Sequence, residues 1–225
     1  MSLPTLQDIT RRYKAVFFDL DGTLFNSEPL HAKALVRAAD ILDIDISGMD
    51  PLHDFLGLPD PGVYRQLDKM GRVPETATQE AFIAAKNANY LADCRELSKH
   101  EWIEFMTPGT RELLIELKKQ DLLVGLVSAS EHEIVEAMLK GSGLNLLFDH
   151  IVARGVCFRS KPSPGPYMAA LRHWKLKSHE AIVFEDSPTG KKAAQLAGCR
   201  VIAVTCFTQP TNDSLESIDN FFRLI

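Results

Sequence analysis

The chain has 225 residues, of which 45% are hydrophobic and 24% are charged, a composition typical of soluble globular proteins and too apolar for a disordered chain. Its formal net charge of −5 argues against a surface for nucleic acid or anionic membrane. No signal-peptide-like stretch opens the sequence, and the four cysteines form no C-x-x-C pair, which indicates reduced thiols. The sequon-like Asn212-Asp213-Ser214 is then interpreted as chance. We expect a cytoplasmic protein that binds neither nucleic acid nor membrane, and a monomer.

Five short apolar runs rich in β-branched and aromatic residues predict buried strands. They are Ala15–Leu20, Leu123–Ser128, His150–Ala153, Ala181–Glu185 and Arg200–Thr205. Helical patterns separate the last four runs and precede the second, at about 108–120, 131–141, 164–174 and 189–197. Gly143 and Gly198 mark helix ends. This alternation predicts an α/β fold with a doubly wound parallel sheet and helices on both faces.

Residues 26–105 break the alternation, because no convincing strand occurs among them. One helical face joins Leu30, Ala34, Leu35, Ala38, Ile41 and Leu42, and a second long helix is indicated around Phe82, Ala85 and Asn89. A segment of 80 residues is much longer than an ordinary crossover connection. We therefore predict an inserted helical domain at 26–105 and a catalytic core formed by 1–25 and 106–225.

Polar groups stand at the carboxyl ends of three predicted strands. Asp19-Leu20-Asp21-Gly22-Thr23 follows the first strand, Ser128-Ala129-Ser130 the second and Glu185-Asp186-Ser187 the fourth. In open α/β sheets, ligands bind just outside the carboxyl ends of the strands. Each group alone could be a helix cap. Their conjunction with the loop that carries Lys161 predicts an active site.

These segments resemble the four motifs of the haloacid dehalogenase superfamily, in the family's order. D-x-D-G-T is matched from Asp19 to Thr23, Ser128 ends a strand, Lys161 lies in a Lys-Pro-x-Pro context, and Glu185-Asp186 is the acidic pair. Within the superfamily the chain is most similar to the beta-phosphoglucomutase-like group, which carries a small helical cap. The resemblance implies a Rossmann-like core whose cap is inserted after the first motif.

Two positions depart from the family's pattern. Gly165 stands where an aspartate usually follows the third-motif lysine, which puts the placement of Lys161 in question. Asn26 replaces an aspartate that is common at the hinge. Neither change removes a group that performs chemistry.

The resemblance assigns the chemistry to two aspartates. Asp19 would attack a phosphoryl group and form an aspartyl-phosphate, since a carboxylate of ordinary pKa, about 3.9, needs no activating base. Asp21 would protonate the leaving oxygen as a general acid and then activate water as a general base. Ser128, Lys161 and backbone N–H groups, including that of Ala129, would bind the phosphate oxygens.

A phosphate dianion cannot approach these carboxylates without cations. The resemblance implies Mg²⁺, bound by the Asp19 carboxylate, the Asp21 backbone carbonyl, Asp186 and waters. Glu185 would either bind the ion directly or orient a metal-bound water. Hard oxygen donors with several waters are the surroundings that Mg²⁺ prefers.

Substrate contacts from the helical domain are predicted less sharply. His31 and Lys86 are candidates, the alternatives being a structural role for His31 and a solvated helix face for Lys86. The family's mutases carry a cap segment G-x-x-R that grips a distal phosphate, and here the corresponding segment reads Gly57-Leu58-Pro59-Asp60. We therefore predict a phosphatase acting on a small phosphorylated metabolite, such as a sugar or polyol phosphate. The alternatives are a beta-phosphoglucomutase-type mutase and, more remotely, a non-catalytic binding module.

Overall fold

The computed structural model describes residues 3–55, 57–207 and 215–225, so the sequon-like Asn212-Asp213-Ser214 lies outside the described residues. The chain divides into two compact units, one formed by Met1–Asn26 with Ser98–Ile225 and the other by Ser27–Leu97. No described helix has the length and apolar character that crossing a lipid bilayer requires.

The larger unit is built on a six-stranded, wholly parallel sheet with the strand order β3-β2-β1-β4-β5-β6. The strands are β1 (Ala15–Phe18), β2 (Leu123–Val127), β3 (His150–Val152), β4 (Ala181–Glu185), β5 (Arg200–Val204) and β6 (Ser217–Ile218). Every residue of β1 and β4 is buried, as expected for central strands covered on both faces. The predicted α/β fold is confirmed, and of the strands among the described residues only β6, two residues long, was not predicted.

Ten α-helices are found among the described residues. They are α1 (Leu6–Arg12), α2 (Glu28–Ile41), α3 (Pro51–Asp54), α4 (Asp60–Lys69), α5 (Gln79–Glu96), α6 (Lys99–Phe105), α7 (Thr110–Lys119), α8 (His132–Ser142), α9 (Gly165–His173) and α10 (Pro188–Leu196). Local chemistry sets several of their ends. Gly143 ends α8 in the left-handed region at φ 70°, where glycine has no Cβ penalty. The Ser187 hydroxyl accepts the N–H of Gly190 at the start of α10, and Pro188 occupies its first turn,.

The smaller unit contains α2, α3, α4 and α5, and no strand occurs among its described residues. Apolar side chains from these helices form one core, which includes Leu35, Ala38, Val63, Leu67 and Phe82. The helical insertion was predicted, but Ile41 is 62% exposed rather than buried with its neighbours. As the last residue of α2, Ile41 lies where helical periodicity no longer tells which side is covered.

The second domain boundary differs from the predicted one. The sequence pattern predicts the end of the helical domain at residue 105, whereas the compact helical unit ends at Leu97 and α6 belongs to the larger unit. Buried Trp102 of α6 packs edge-on against Phe25, with ring centroids 5.2 Å apart. Gly141 of α8 lies so close to Trp102 that a Cβ there would come within 2.4 Å of the indole Nε1. Since α6 follows a helical segment in sequence, only this packing assigns it to the sheet-containing unit.

Candidate active site

The candidate site lies at the carboxyl edge of the three neighbouring strands β2, β1 and β4. Because these strands are parallel, the segments that follow them emerge at the same edge. Asp19 comes directly after β1, and its N–H donates to the Phe184 carbonyl at 3.0 Å. Ser128 comes directly after β2, and its N–H donates to the Val152 carbonyl at 2.9 Å. Both residues are thus fixed by a continuation of the sheet's hydrogen bonding.

Three buried carboxylates and one ammonium group form the centre of the site. Asp19, Glu185 and Asp186 each offer a carboxylate oxygen, and these oxygens lie within 4.8 Å of one another. Lys161 Nζ lies 2.5 Å from Asp19 Oδ1 and 3.0 Å from Glu185 Oε1. The lysine side chain is only 5% exposed. Its ammonium group is held by carboxylates from two neighbouring strands, although position 165 is a glycine.

Burial of like charges changes the proton affinities of this cluster. Burial, with Glu185 as the next cause, raises the pKa of Asp19 to about 8, and burial with nearby Asp19 raises the pKa of Asp186 to about 7. Burial also raises the pKa of Glu185. The sequence-based expectation of an ordinary pKa for Asp19 is therefore wrong for the metal-free cluster, because that expectation assumed a solvated carboxylate.

The donor set fits a hard divalent cation. Three carboxylates face a single ammonium, and although burial alone would lower the pKa of Lys161, Asp19 and Glu185 raise it well above its ordinary value. The lysine is therefore charged, yet it cannot balance all three carboxylates in their ionised forms. A divalent ion on these oxygens would favour the ionised forms, and all-oxygen coordination suits Mg²⁺.

Two glycines leave room for the carboxylates. Gly22 has φ +81°, and a Cβ at this position would lie 2.2 Å from Asp186 Oδ2. A Cβ on Gly190 would lie 1.6 Å from Glu185 Oε1. Thr23 donates its hydroxyl to Asp186 Oδ1 at 3.0 Å. The turn role of Gly22 was predictable, but the closeness of Gly190 to Glu185 leaves no signal in the sequence.

The loop after β2 connects the candidate phosphate-binding residues to Asp21. Ser128 Oγ accepts the Ser130 N–H at 3.0 Å, and the Ser130 hydroxyl donates to Asp21 Oδ2 at 2.6 Å. Arg154 Nε donates to the Ala129 carbonyl at 2.7 Å. Ser130 and Arg154 were not predicted as site residues, although the position of Ser130, two residues after Ser128, was an available signal.

Tyr167 is a further neighbour of Lys161 that was not predicted as a site residue, although its place in the motif that carries Lys161 was an available signal. Its buried ring lies under Lys161, with Nζ 5.3 Å from the ring centroid, a distance at which a cation is attracted to an aromatic face. Its hydroxyl is buried without a hydrogen-bond partner among the described residues. The ring therefore adds to the contacts that hold the lysine.

His31 and Lys86, the two candidates in the helical unit, lie next to each other. Lys86 Nζ is 2.9 Å from His31 Nδ1 and 2.9 Å from Asp60 Oδ1, and the His31 ring stacks on Tyr90 with centroids 4.1 Å apart. The solvated-face alternative for Lys86 is wrong, since its side chain is only 6% exposed. The ammonium is already paired with the carboxylate of Asp60.

Comparison with known proteins gives consistent matches. Residues 16–204 match the family of haloacid dehalogenase-like hydrolases. Hexitol phosphatase B of Escherichia coli K12 is 30% identical over 86% of this chain and 84% of its own length. Protein SUPPRESSOR OF QUENCHING 1, chloroplastic, of Arabidopsis thaliana is 33% identical over 86% of this chain, which spans only 18% of that protein's length. The structure of a CbbY mutant from Rhodobacter sphaeroides with xylulose-(1,5)bisphosphate superposes with a TM-score of 0.81, at 26% identity, covering 93% of this chain and 95% of that one.

Proposed function

We propose that this chain is a Mg²⁺-dependent phosphatase with Asp19 as its nucleophile. The chain belongs to the haloacid dehalogenase-like hydrolase family and is a phosphoric monoester hydrolase. Its substrate is a small phosphorylated metabolite of the sugar or polyol phosphate class, a proposal supported by the similarity to hexitol phosphatase B. The observation that carries the proposal is buried Asp19, paired with Lys161 among further carboxylates at the sheet's carboxyl edge. We further propose that the protein acts as a cytoplasmic monomer and that the helical unit is its cap.

Asp19, Asp186 and the backbone carbonyl of Asp21 would hold Mg²⁺, with Glu185 beside them, and the bound ion would neutralise charge between carboxylate and phosphate dianion. Asp19 attacks phosphorus, the ester P–O bond breaks, and the leaving oxygen takes a proton from Asp21. Asp21 then removes a proton from water as the water oxygen attacks the aspartyl-phosphate. The P–O bond to Asp19 breaks and phosphate leaves. Ser128, the Ala129 N–H and Lys161 bind the phosphate oxygens throughout.

The proposal is tested by a phosphate-release screen with Mg²⁺. The panel comprises hexitol phosphates, aldose and ketose phosphates, sugar bisphosphates, nucleotides, pyrophosphate and an intact phosphoprotein. We expect the highest kcat/KM for a small sugar or polyol monophosphate. A chain that releases phosphate from none of them faster than its own Asp19→Asn variant would overturn the proposal.

The metal assignment predicts that chelation reduces activity to below about a hundredth and that Mg²⁺ restores it, because a carboxylate and a dianion must otherwise meet without a cation. Ca²⁺ should inhibit, since it is larger, takes more ligands and could engage both oxygens of Asp19. The measurement is phosphate release after exhaustive chelation and after addition of each ion. Full activity in chelator would contradict the assignment.

A thermal melt gives a second readout that does not depend on turnover. The raised pKa values of Asp19, about 8, and Asp186, about 7, mean that the metal-free fold disfavours their charged forms. The stability of the metal-free protein should therefore fall as the pH rises from about 4 towards 8. Mg²⁺ competes with protons for these oxygens, so the Tm gain on adding Mg²⁺ should be larger at pH 8 than at pH 6. An equal gain at both values would count against binding at these carboxylates.

A sugar-phosphate mutase is the second candidate, and Asp60 distinguishes it from the phosphatase. The position of the mutases' cap arginine is occupied here by a carboxylate that pairs with Lys86 at 2.9 Å. A bidentate contact to a second phosphate would be lost, and each 1.4 kcal/mol is about a factor of ten in binding. Incubation with beta-glucose 1-phosphate and catalytic glucose 1,6-bisphosphate should yield little glucose 6-phosphate. Isomerisation faster than hydrolysis of every tested monophosphate would establish the mutase instead.

A further inference from the structure

The hydrogen bond between Ser130 and Asp21 joins the loop after β2 to the loop after β1. The Ser130 hydroxyl lies 2.6 Å from Asp21 Oδ2, within the short range of charge-assisted O–H···O⁻ bonds. We propose that Ser130 is a positioning residue that holds the Asp21 carboxyl group in the orientation needed to protonate the leaving oxygen. This inference rests on the proposed function, because it assumes that Asp21 is the general acid.

The hydroxyl of Ser130 is presented by a braced loop. The Ser130 N–H donates to Ser128 Oγ at 3.0 Å, and its carbonyl accepts the Arg154 N–H at 2.9 Å. Arg154 Nε also donates to the Ala129 carbonyl at 2.7 Å. These three hydrogen bonds, made with Ser128 and Arg154, fix the backbone of Ala129 and Ser130. The Ser130 hydroxyl is therefore presented from a fixed backbone.

Asp21 lies on a loop with a fixed backbone, and its side chain receives the Ser130 hydrogen bond at Oδ2. The N–H of neighbouring Gly22 donates to the Phe25 carbonyl at 2.7 Å, which holds the loop in its turn. Asp21 is only half-buried, and a carboxylate on a staggered side chain can adopt several rotamers. The hydrogen bond from Ser130 to Oδ2 favours one of them. Proton donation requires the acid within hydrogen-bond reach of the leaving oxygen, so the selected rotamer governs the rate.

The leaving group provides a test that a merely structural role would not pass. An alkoxide leaving group needs the proton from Asp21, whereas 4-nitrophenolate departs without one. Ser130→Ala should lower kcat/KM about 10- to 100-fold for the best sugar or polyol phosphate of the screen, given that proton transfer contributes about 10²- to 10⁴-fold. The same variant should lower kcat/KM for 4-nitrophenyl phosphate by less than about threefold. Ser130→Thr, which keeps the hydroxyl, should restore most of the activity on the alkyl phosphate.

Ser128→Ala is a comparison variant from the same loop: the Ser128 hydroxyl is proposed to contact the phosphate common to both substrates, and it also accepts the Ser130 N–H. This variant should lower kcat/KM for both substrates, with a smaller difference between them than Ser130→Ala shows. If Ser130→Ala slows both reactions alike, the inference is overturned. Ser130→Cys, similar in size and a weak donor, gives the same comparison if the alanine variant melts early.

Asp21→Asn separates failure of the inference from failure of the proposed function. The proposed function predicts that Asp21→Asn lowers kcat/KM far more for the alkyl phosphate than for 4-nitrophenyl phosphate. The inference predicts that adding Ser130→Ala to Asp21→Asn causes no further loss of kcat/KM, since the two residues act as one unit. An Asp21→Asn variant without leaving-group selectivity would refute the acid role itself. Selectivity in Asp21→Asn together with its absence in Ser130→Ala would refute only the inference.

Discussion

Asp19→Asn should reduce phosphate release by at least about 10⁴-fold while leaving the fold intact. A covalent nucleophile cannot be replaced by its neighbours, and loss of the nucleophile in other enzymes costs about 10⁶-fold in kcat. The amide has the shape of the carboxylate and keeps an oxygen for Lys161, which also contacts Glu185 at 3.0 Å. Above about pH 8, where Asp19 is ionised in the metal-free protein, the substitution removes one of three buried like charges, so the melting temperature in chelator should be unchanged or higher.

The matched control is Asp68→Asn, which makes the same chemical change on an exposed side chain of α4. This variant should retain wild-type activity and stability. The measurements are phosphate release and thermal melts of the wild type, Asp19→Asn and Asp68→Asn. Residual activity of Asp19→Asn above about a tenth of the wild-type rate would show that another group attacks phosphorus.

The convergence of the candidate residues was predictable because it follows from strand order and polarity. Asp19, Ser128 and Glu185 end or directly follow apolar runs, and parallel neighbours bring those ends to one edge,. Knowledge of the resembling family then assigned the expected roles. No side-chain contact is needed to predict this convergence.

Contacts that depend on the folded chain were not predictable. Lys86 lies on a helix where periodicity allows a solvated position, and its burial becomes acceptable only because Asp60, 26 residues earlier, supplies a counter-charge. Arg154 looks like an ordinary loop arginine until its Nε is seen on the Ala129 carbonyl. A sequence pattern records the residues of one element, whereas these pairs join two elements.

The pKa of Asp19 was mispredicted for the same reason. The value for a free aspartate describes a solvated carboxylate, but Asp19 shares a buried space with Glu185 and Asp186. Burial is the largest cause of the raised pKa at Asp19 and at Asp186. The need for a cation is therefore stronger than a count of charges along the sequence suggests, because desolvation adds to repulsion.

Gly190→Ala should strongly destabilise the protein, although glycine-to-alanine changes inside helices usually stabilise by about 1 kcal/mol. The three atoms nearest to the added Cβ, at 1.6, 2.1 and 2.4 Å, all belong to the carboxylate of Glu185. Glu185 is fully buried and holds Lys161 at 3.0 Å. The carboxylate must move away, which breaks this pair, or the first turn of α10 must shift.

Breaking a buried ion pair by displacing one partner costs about 3–5 kcal/mol, which for a chain of this size lowers Tm by roughly 10 °C. Activity should fall as well, since Lys161 loses one of its two carboxylate contacts. Gly62→Ala is the matched control, because Gly62 also lies in a helix and its nearest atom to an added Cβ is Pro59 Cδ at 3.4 Å. It should melt at or slightly above the wild-type temperature.

Shortening the displaced side chain tests whether the overlap is the cause. Glu185→Asp withdraws the carboxylate by one methylene group, so the double variant Gly190→Ala/Glu185→Asp should melt at a higher temperature than Gly190→Ala alone. Non-additivity of this kind is expected for residues in direct contact. If Gly190→Ala melts within about 2 °C of wild type, α10 does not pack against Glu185 as closely as the distances from Gly190 indicate. If it melts early and the second substitution lowers Tm further, the destabilisation has another source than this carboxylate.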